Sequence, residues 1–184
     1  MKNIGELISN MVTYYAGDVK RINHFLKVYG FAKAIGEKEG LVDSKQEILE
    51  VAAIIHDIGI KVSEQKYNSS SGKYQQIEGP AIAEKMLREL GYAEELIDRV
   101  HFLVAHHHTY DNIDDVDYQI LIESDLLVNI AEEQLSFKTI NNIRDKIFRT
   151  KTGKIFLRDI YSSLDISIEN SKIDDAIYNL VEYK

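Results

Sequence analysis

The sequence contains no cysteine and only one proline. Without cysteine, neither disulfides nor thiolate metal sites are available, so nitrogen and oxygen ligands must hold any bound metal. One Pro and 10 Gly in 184 residues leave little material for strand-rich turns or long linkers. The composition therefore favours helices.

Long apolar runs are missing as well. No segment approaches the length of a membrane span, and residues 1–24 lack the continuous apolar stretch of a secretion signal. We therefore expect a cytoplasmic protein with no membrane partner. The net charge of −8 repels polyanions overall, so we expect no stable nucleic-acid binding. A local cationic pocket for a small phosphate ligand is compatible with that charge.

Hydrophobic residues make up 45% of the chain and recur mostly with helical periodicity. We predict an all-α fold, divided into a metal-binding helical domain over 1–135 and a C-terminal helical extension over 136–184 that packs on it. A polar segment, 61–76, is predicted to be a loop. The helices are predicted over 19–38, 44–57, 79–91, 93–107 and 118–133, with one or two more after that.

Imidazole and carboxylate side chains fall on the apolar faces of these helices. His24 lies on the apolar stripe of its helix, and His56-Asp57 ends the most hydrophobic segment of the chain. His107 and Asp125 each take a stripe position that a leucine could have filled. Any one of them alone is typical of a hydrogen-bonded core residue or a helix cap. Burying four such groups singly costs on the order of 1–3 kcal/mol each, more if charged, so a shared divalent cation is the simplest common partner.

The order His24, His56-Asp57, Asp125 resembles the H…HD…D signature of the HD-domain metal-dependent phosphohydrolases. The resemblance spans about residues 18–129 and includes Arg21, three residues before His24. It implies a bundle of five or more helices around a buried centre with one or two divalent metal ions. The nitrogen and oxygen ligands suit iron, manganese, nickel or zinc.

By this resemblance His24, His56, Asp57 and Asp125 hold the first ion. Dinuclear members often carry another His at the start of the helix after His-Asp, and Glu78 is predicted to stand there. Glu78 and His107 would then hold a second ion. Helical register favours His107, which follows Leu103 by four residues, as the ligand within the run 106–108. His106 is the next candidate, as a ligand or a substrate-facing group, whereas His101 and His108 are interpreted as structural or exposed.

The implied activity is hydrolysis of a phosphate ester or anhydride, such as that of a nucleotide, by a metal-activated water. Asp57 would bridge the metals or orient the water, Lys61 would add a catalytic positive charge, and Arg21 would grip a phosphate. The segment 67–74 is the candidate for substrate specificity. Two alternatives stay open: a non-catalytic metal- or nucleotide-binding sensor, and an oxygen-using di-iron enzyme. The tyrosine-rich ends of the chain are expected either to form the surface of a homodimer or simply to pack within the chain (Tyr14, Tyr15, Tyr178 and Tyr183).

Overall fold

A computed structural model of the protein describes residues 4–162, which fold into α-helices with no strand. The prediction of an all-α fold is confirmed. None of the described helices combines the length and the apolarity needed to cross a bilayer. The helices are α1 (Ile4–Tyr14), α2 (Val19–Glu39), α3 (Asp43–Ile55), α4 (Ile60–Tyr67), α5 (Gly72–Glu89), α6 (Glu94–His106), α7 (Val116–Glu132), α8 (Phe137–Lys146) and α9 (Lys151–Tyr161).

Helices α3 and α7 form the centre of the molecule. Every residue of α3 from Leu49 to Ile55 is buried, and so is every residue of α7 from Asp117 to Val128. Helix α3 contacts α1, α2, α6 and α7, while α7 contacts α2, α3 and α9. A helix surrounded on all sides has no polar face. This explains why the run from Val51 to Ile55 is apolar without interruption.

The long helix α2 begins and ends at well-formed caps. The Asp18 side chain accepts a hydrogen bond from the backbone N–H of Arg21 at 3.1 Å, which satisfies one of the free donors at the helix start. At the other end Gly40 has φ +76°, a left-handed conformation that glycine adopts without strain. The caps fix where α2 begins, and with it the direction in which His24 points.

The segment predicted as a loop over 61–76 is largely helical instead. Helix α4 covers its first part and α5 begins at Gly72, so only residues 68–71 lie outside the two helices. Helix α4 buries just Ile60 and Ser63, which is why its polar sequence lacks a clear apolar stripe. The prediction that a helix starts at Gly79-Pro80 was also wrong, because Pro80 lies inside α5.

The backbone of α5 presses against the turn that follows His56-Asp57. A Cβ atom placed on Gly59 would lie 2.6 Å from the carbonyl oxygen of Gln75 and 2.8 Å from the nitrogen of Gly79. Only a residue without a side chain allows this approach. The contact brings the first turns of α5 next to the His-Asp turn.

The segments before α2 and after α7 also attach to the core. The buried carboxylate of Glu123 in α7 accepts hydrogen bonds from the backbone N–H groups of Arg149 at 2.6 Å and Thr150 at 2.9 Å, at the start of α9. Near the other end, Tyr15 is buried, so it does not offer a free dimer surface. The division of the chain at residue 135 stays a prediction, and Tyr178 and Tyr183 lie outside the described residues.

Replacing Gly59 by Ala should destabilise the metal-free protein by about 1–3 kcal/mol, because the new methyl group meets backbone atoms that cannot move independently. The matched control is Gly30→Ala, at an exposed position of α2 where a Cβ atom meets nothing within 4 Å. Because alanine favours a helix, this control should stabilise the protein by about 0.5–1 kcal/mol. Urea unfolding with a chelator present measures both changes, and shifts in the same direction would contradict the close approach.

Candidate metal centre

Three central elements bring four ionisable side chains to one point. His24 comes from α2, His56 and Asp57 from the turn that ends α3, and Asp125 from the middle of α7. The Nε2 atom of His24 lies 3.3 Å from Nε2 of His56 and 3.2 Å from Oδ1 of Asp125. It also lies 3.5 Å from Oδ2 of Asp57. The sequence prediction placed these four residues in one site, and the fold brings them together.

The ring nitrogens of these histidines are oriented by hydrogen bonds on their other side. The Nδ1 atom of His56 lies 2.9 Å from the carbonyl oxygen of Ala53, and Nδ1 of His24 lies 3.2 Å from the Glu132 carboxylate. A carbonyl oxygen only accepts hydrogen bonds, so Nδ1 of His56 carries the hydrogen. In a neutral imidazole the lone pair of Nε2 then points at the carboxylates. Lone pairs converging in this way are the arrangement that metal-binding histidines adopt.

A second group of possible ligands shares Asp57. The Nε2 atom of His107 is buried, makes no hydrogen bond to a described residue, and lies 3.4 Å from Oδ1 of Asp57. Its Nδ1 atom lies 2.9 Å from the carbonyl oxygen of Val104. Ligand atoms of Asp57, His107 and His108 lie within 4.8 Å of one another. A buried ring nitrogen without a hydrogen bond costs on the order of 1–3 kcal/mol, which a cation at this position would recover.

The charges of the cluster shift its ionisation equilibria. Burial lowers the pKa of His24, but the hydrogen bond to Asp125 and the charge of Asp57 outweigh it and raise that pKa to about 9. Burial lowers the pKa of His56 as well, but the charge of Asp57 raises it by more, so the net shift is upward. For Asp57 and Asp125, burial works against ionisation, yet the neighbouring imidazoles hold the pKa of each carboxyl below its usual range. Without metal, protons on the histidines therefore balance the buried carboxylates.

Side chains outside the cluster hold its members in place. The amide nitrogen of Asn129, one turn along α7, donates to Oδ1 of Asp125 at 2.9 Å. The hydroxyl group of Tyr15 donates to the backbone carbonyl of Asp57 at 2.7 Å. The Glu132 carboxylate that contacts His24 also binds Lys27 at 3.0 Å.

Glu78 does not join the cluster, which corrects the prediction of a carboxylate ligand from α5. Its carboxylate accepts hydrogen bonds from Lys66 at 2.6 Å and Tyr67 at 2.8 Å. The buried residue Gln75, three positions earlier, instead lines the cavity beside the cluster. The prediction failed because it started the helix too late and therefore assigned the wrong residue to its inner face.

Lys61 and His106 are likewise placed away from the cluster, in contrast to their predicted catalytic and substrate-facing roles. The Lys61 ammonium group donates to the carbonyl oxygen of Tyr14 at 2.9 Å. His106 stacks on Phe102 with the ring centroids 4.3 Å apart. Because α6 ends at His106, the next two residues do not follow the helical register, and ligand atoms of both His107 and His108 lie within 4.8 Å of Asp57. His108 was not predicted as a ligand because the prediction relied on helical register, which does not apply beyond the end of α6.

A cavity of about 630 Å³ opens onto the cluster. Arg21 lines it, but its guanidinium group already binds Asp18 and Glu64, each at 2.5 Å. Lys20 lines it too and makes no ion pair with any residue in the range 4–162. The short segment between α4 and α5 contributes hydroxyl groups. The cavity is also lined by Ser69, Ser70, Ser71, Tyr110, Glu132 and Glu133.

The sequence matches the HD-domain family over residues 21–135, a range that includes every member of the cluster. The chain belongs to the HD-domain family. The crystal structure of a predicted HD superfamily hydrolase from an uncultured Thermotogales bacterium is similar in fold, with a TM-score of 0.67 at 18% identity over 90% of this chain and 88% of that one. No curated protein matches the sequence.

In this HD-domain chain the donor set fits a divalent cation. The Nε2 atoms of His24 and His56 lie 3.3 Å apart, and each lies within 3.6 Å of a carboxylate oxygen of both Asp57 and Asp125. Such nitrogen and oxygen ligands bind iron, manganese, nickel and zinc. His24, His56, Asp57 and Asp125 would hold the first ion, and Asp57, His107 and His108 a second.

Replacing His56 by Ala should abolish binding of the first ion, because it removes a fixed nitrogen ligand and leaves a cavity in its place. The matched control is His101→Ala, on α6 and outside both ligand groups. At a Mn²⁺ concentration that fills only the first, tighter site, Mn²⁺ should raise the melting temperature of the control and of the unaltered protein but not of His56→Ala. Metal content after dialysis gives a second readout. Equal metal content in both variants would contradict the assignment.

The affinity of the HD-domain cluster for Mn²⁺ should rise with pH. The pKa of His24 is raised to about 9, so its ring is protonated at neutral pH and must lose a proton when a cation binds. Between about pH 6.5 and 8.5 the apparent association constant should increase by up to roughly tenfold per pH unit for each proton displaced. Anaerobic titration calorimetry in buffers of different ionisation enthalpy measures both the affinity and the protons released. An affinity independent of pH would show that His24 does not exchange a proton for the ion.

Proposed function

We propose that this HD-domain protein is a metal-dependent phosphohydrolase that cleaves a phosphate ester or anhydride of a nucleotide. The observation that carries the proposal is the position of the buried His-Asp cluster in the wall of a cavity of about 630 Å³. Cavities of this size are typical of small-molecule sites. The related fold of a protein described as a hydrolase supports the same reaction class.

The chain itself supplies a shared carboxylate at the centre of the site. Oδ2 of Asp57 lies 3.5 Å from His24, while Oδ1 lies 3.4 Å from His107. Asp57 would therefore be a ligand shared by the two ions, or would orient a water if one ion is bound. A bound divalent ion lowers the pKa of its water to near neutral and offsets negative charge on a phosphoryl group.

The charge of the cavity favours a metal-dependent mode of substrate binding. Its carboxylates outnumber its permanent cations, so phosphate would be repelled from it in the absence of metal. Lys20, which has no ion pair among the described residues, is the side chain we propose for the substrate phosphate. Arg21 serves this purpose only if it leaves Asp18 or Glu64. The carboxylates are those of Asp18, Asp57, Asp125, Glu132 and Glu133, and the cations are Lys20 and Arg21.

The contacts proposed for the nucleoside come from hydroxyl groups. Tyr67 and Tyr74 stack on each other with ring centroids 4.1 Å apart and do not line the cavity, so neither offers a free face there. The serines of 69–71 and Tyr110 do line it. We assign the sugar and base to these groups, and not to the two tyrosines of the segment 67–74.

The test is a screen of nucleotides and dinucleoside polyphosphates with the protein loaded with Mn²⁺ or Fe²⁺. Lys20→Ala should raise KM about tenfold with a smaller change in kcat, because a phosphate contact is lost from the ground state and the transition state alike. The control Lys38→Ala lies at the far end of the same helix, outside the cavity, and should leave both constants unchanged. Asp57→Asn should abolish turnover. Protein with full metal content that hydrolyses no phosphoester would refute the proposed function.

A further inference from the structure

Gln75, from the first turn of α5, is held in one orientation beside the cluster. It is 6% exposed, and its amide nitrogen donates to the carbonyl oxygen of Ser70 at 2.7 Å. That bond fixes which end of the amide is oxygen, and Oε1 lies 3.2 Å from Nε2 of His108. An amide oxygen only accepts hydrogen bonds. Nε2 of His108 must therefore be the donor and carry the hydrogen.

The ring of His108 is also fixed sterically. A Cβ atom on Gly72 would lie 2.6 Å from its Cδ2 atom, so this edge of the ring packs directly against α5. In an imidazole ring Nδ1 lies across the ring from Cδ2. With the hydrogen on Nε2, a neutral imidazole keeps its lone pair on Nδ1. This is the reverse of His56 and His107, whose Nδ1 atoms face carbonyl oxygens and whose Nε2 atoms face Asp57.

We propose that Gln75 is a positioning residue, which sets the tautomer of His108 so that Nδ1 completes a second cation site with Asp57 and His107. The inference rests on the metal binding that the proposed function requires, and not on turnover. This second site should bind a cation more weakly than the first site. Its only carboxylate is that of Asp57, which it shares with the first site, whereas the first site also has Asp125. Cation affinity falls as the number of charged ligands falls.

The first experiment is a titration of the metal-free full-length protein with Mn²⁺. The unaltered protein should bind two ions in two resolved steps. Gln75→Leu should weaken the second step about 10–100-fold, the usual effect of losing a hydrogen bond that orients a ligand, and leave the first within about twofold. Gln75→Glu, which keeps an acceptor oxygen, should restore the second step. The matched control is Gln76→Leu, which removes the neighbouring amide bonded to Thr109 at 3.0 Å and should change neither step.

The second experiment reads the tautomer directly, by long-range ¹⁵N–¹H spectra of the histidine rings in the metal-free protein. His108 should carry its proton on Nε2 in the unaltered protein and in Gln76→Leu, and should lose that preference in Gln75→Leu. A proton on Nδ1, a single Mn²⁺ step at saturation, or an unchanged second step in Gln75→Leu would overturn the inference. Neither readout requires turnover. A protein with both signatures that hydrolyses nothing would refute the proposed function and leave this inference intact.

Discussion

The fold depends on holding several ionisable groups together where water is largely excluded. His56 is fully buried, and His24 and Asp125 retain less than a tenth of their exposure. Separately, each charged group would carry a desolvation cost of several kcal/mol. When the imidazoles and carboxylates lie together, their mutual attraction offsets this desolvation cost. They can do so only if α2, α3 and α7 pack closely enough for their side chains to touch. The apolar run of α3 and the nearly complete burial of α7 follow, because the elements around the cluster must be covered on every side.

Two of the histidines are built into the fold by the same local device. His56 directly follows α3 and His107 directly follows α6. Each directs its Nδ1 atom to the carbonyl oxygen three residues earlier, at 2.9 Å in both cases. Carbonyl groups in the last turn of a helix lack a partner within the helix. One hydrogen bond thus satisfies such a carbonyl and aims Nε2 at Asp57, so the helix end itself sets the tautomer and direction of the ligand.

The sequence predicts a site residue correctly where helical register alone determines which way its side chain faces. His24, His56, Asp57, Asp125 and His107 lie on or directly after strongly periodic helices, so register alone placed them on inner faces. Glu78 and His108 depend on where a helix begins or ends. The start of α5 is obscured by its polar first turns, and α6 ends without a proline or glycine to mark it. Lys61 and Arg21 were predicted to have cationic groups free for catalysis or phosphate binding. Lys61 instead binds the carbonyl of Tyr14 and Arg21 binds Glu64, and these partners could not be predicted because they are distant in sequence.

Segments outside the range that matches the HD-domain family brace the site from two sides. Before residue 21, Tyr15 of the turn after α1 donates to the carbonyl of Asp57, and Tyr14 donates to that of Ile58 at 3.2 Å. After residue 135, the start of α9 is tied to α7 through Glu123, two residues before Asp125. A ligand is only as well placed as the backbone that carries it. The flanking helices therefore act on the metal centre without contacting it, by fixing the two backbone segments from which Asp57 and Asp125 project.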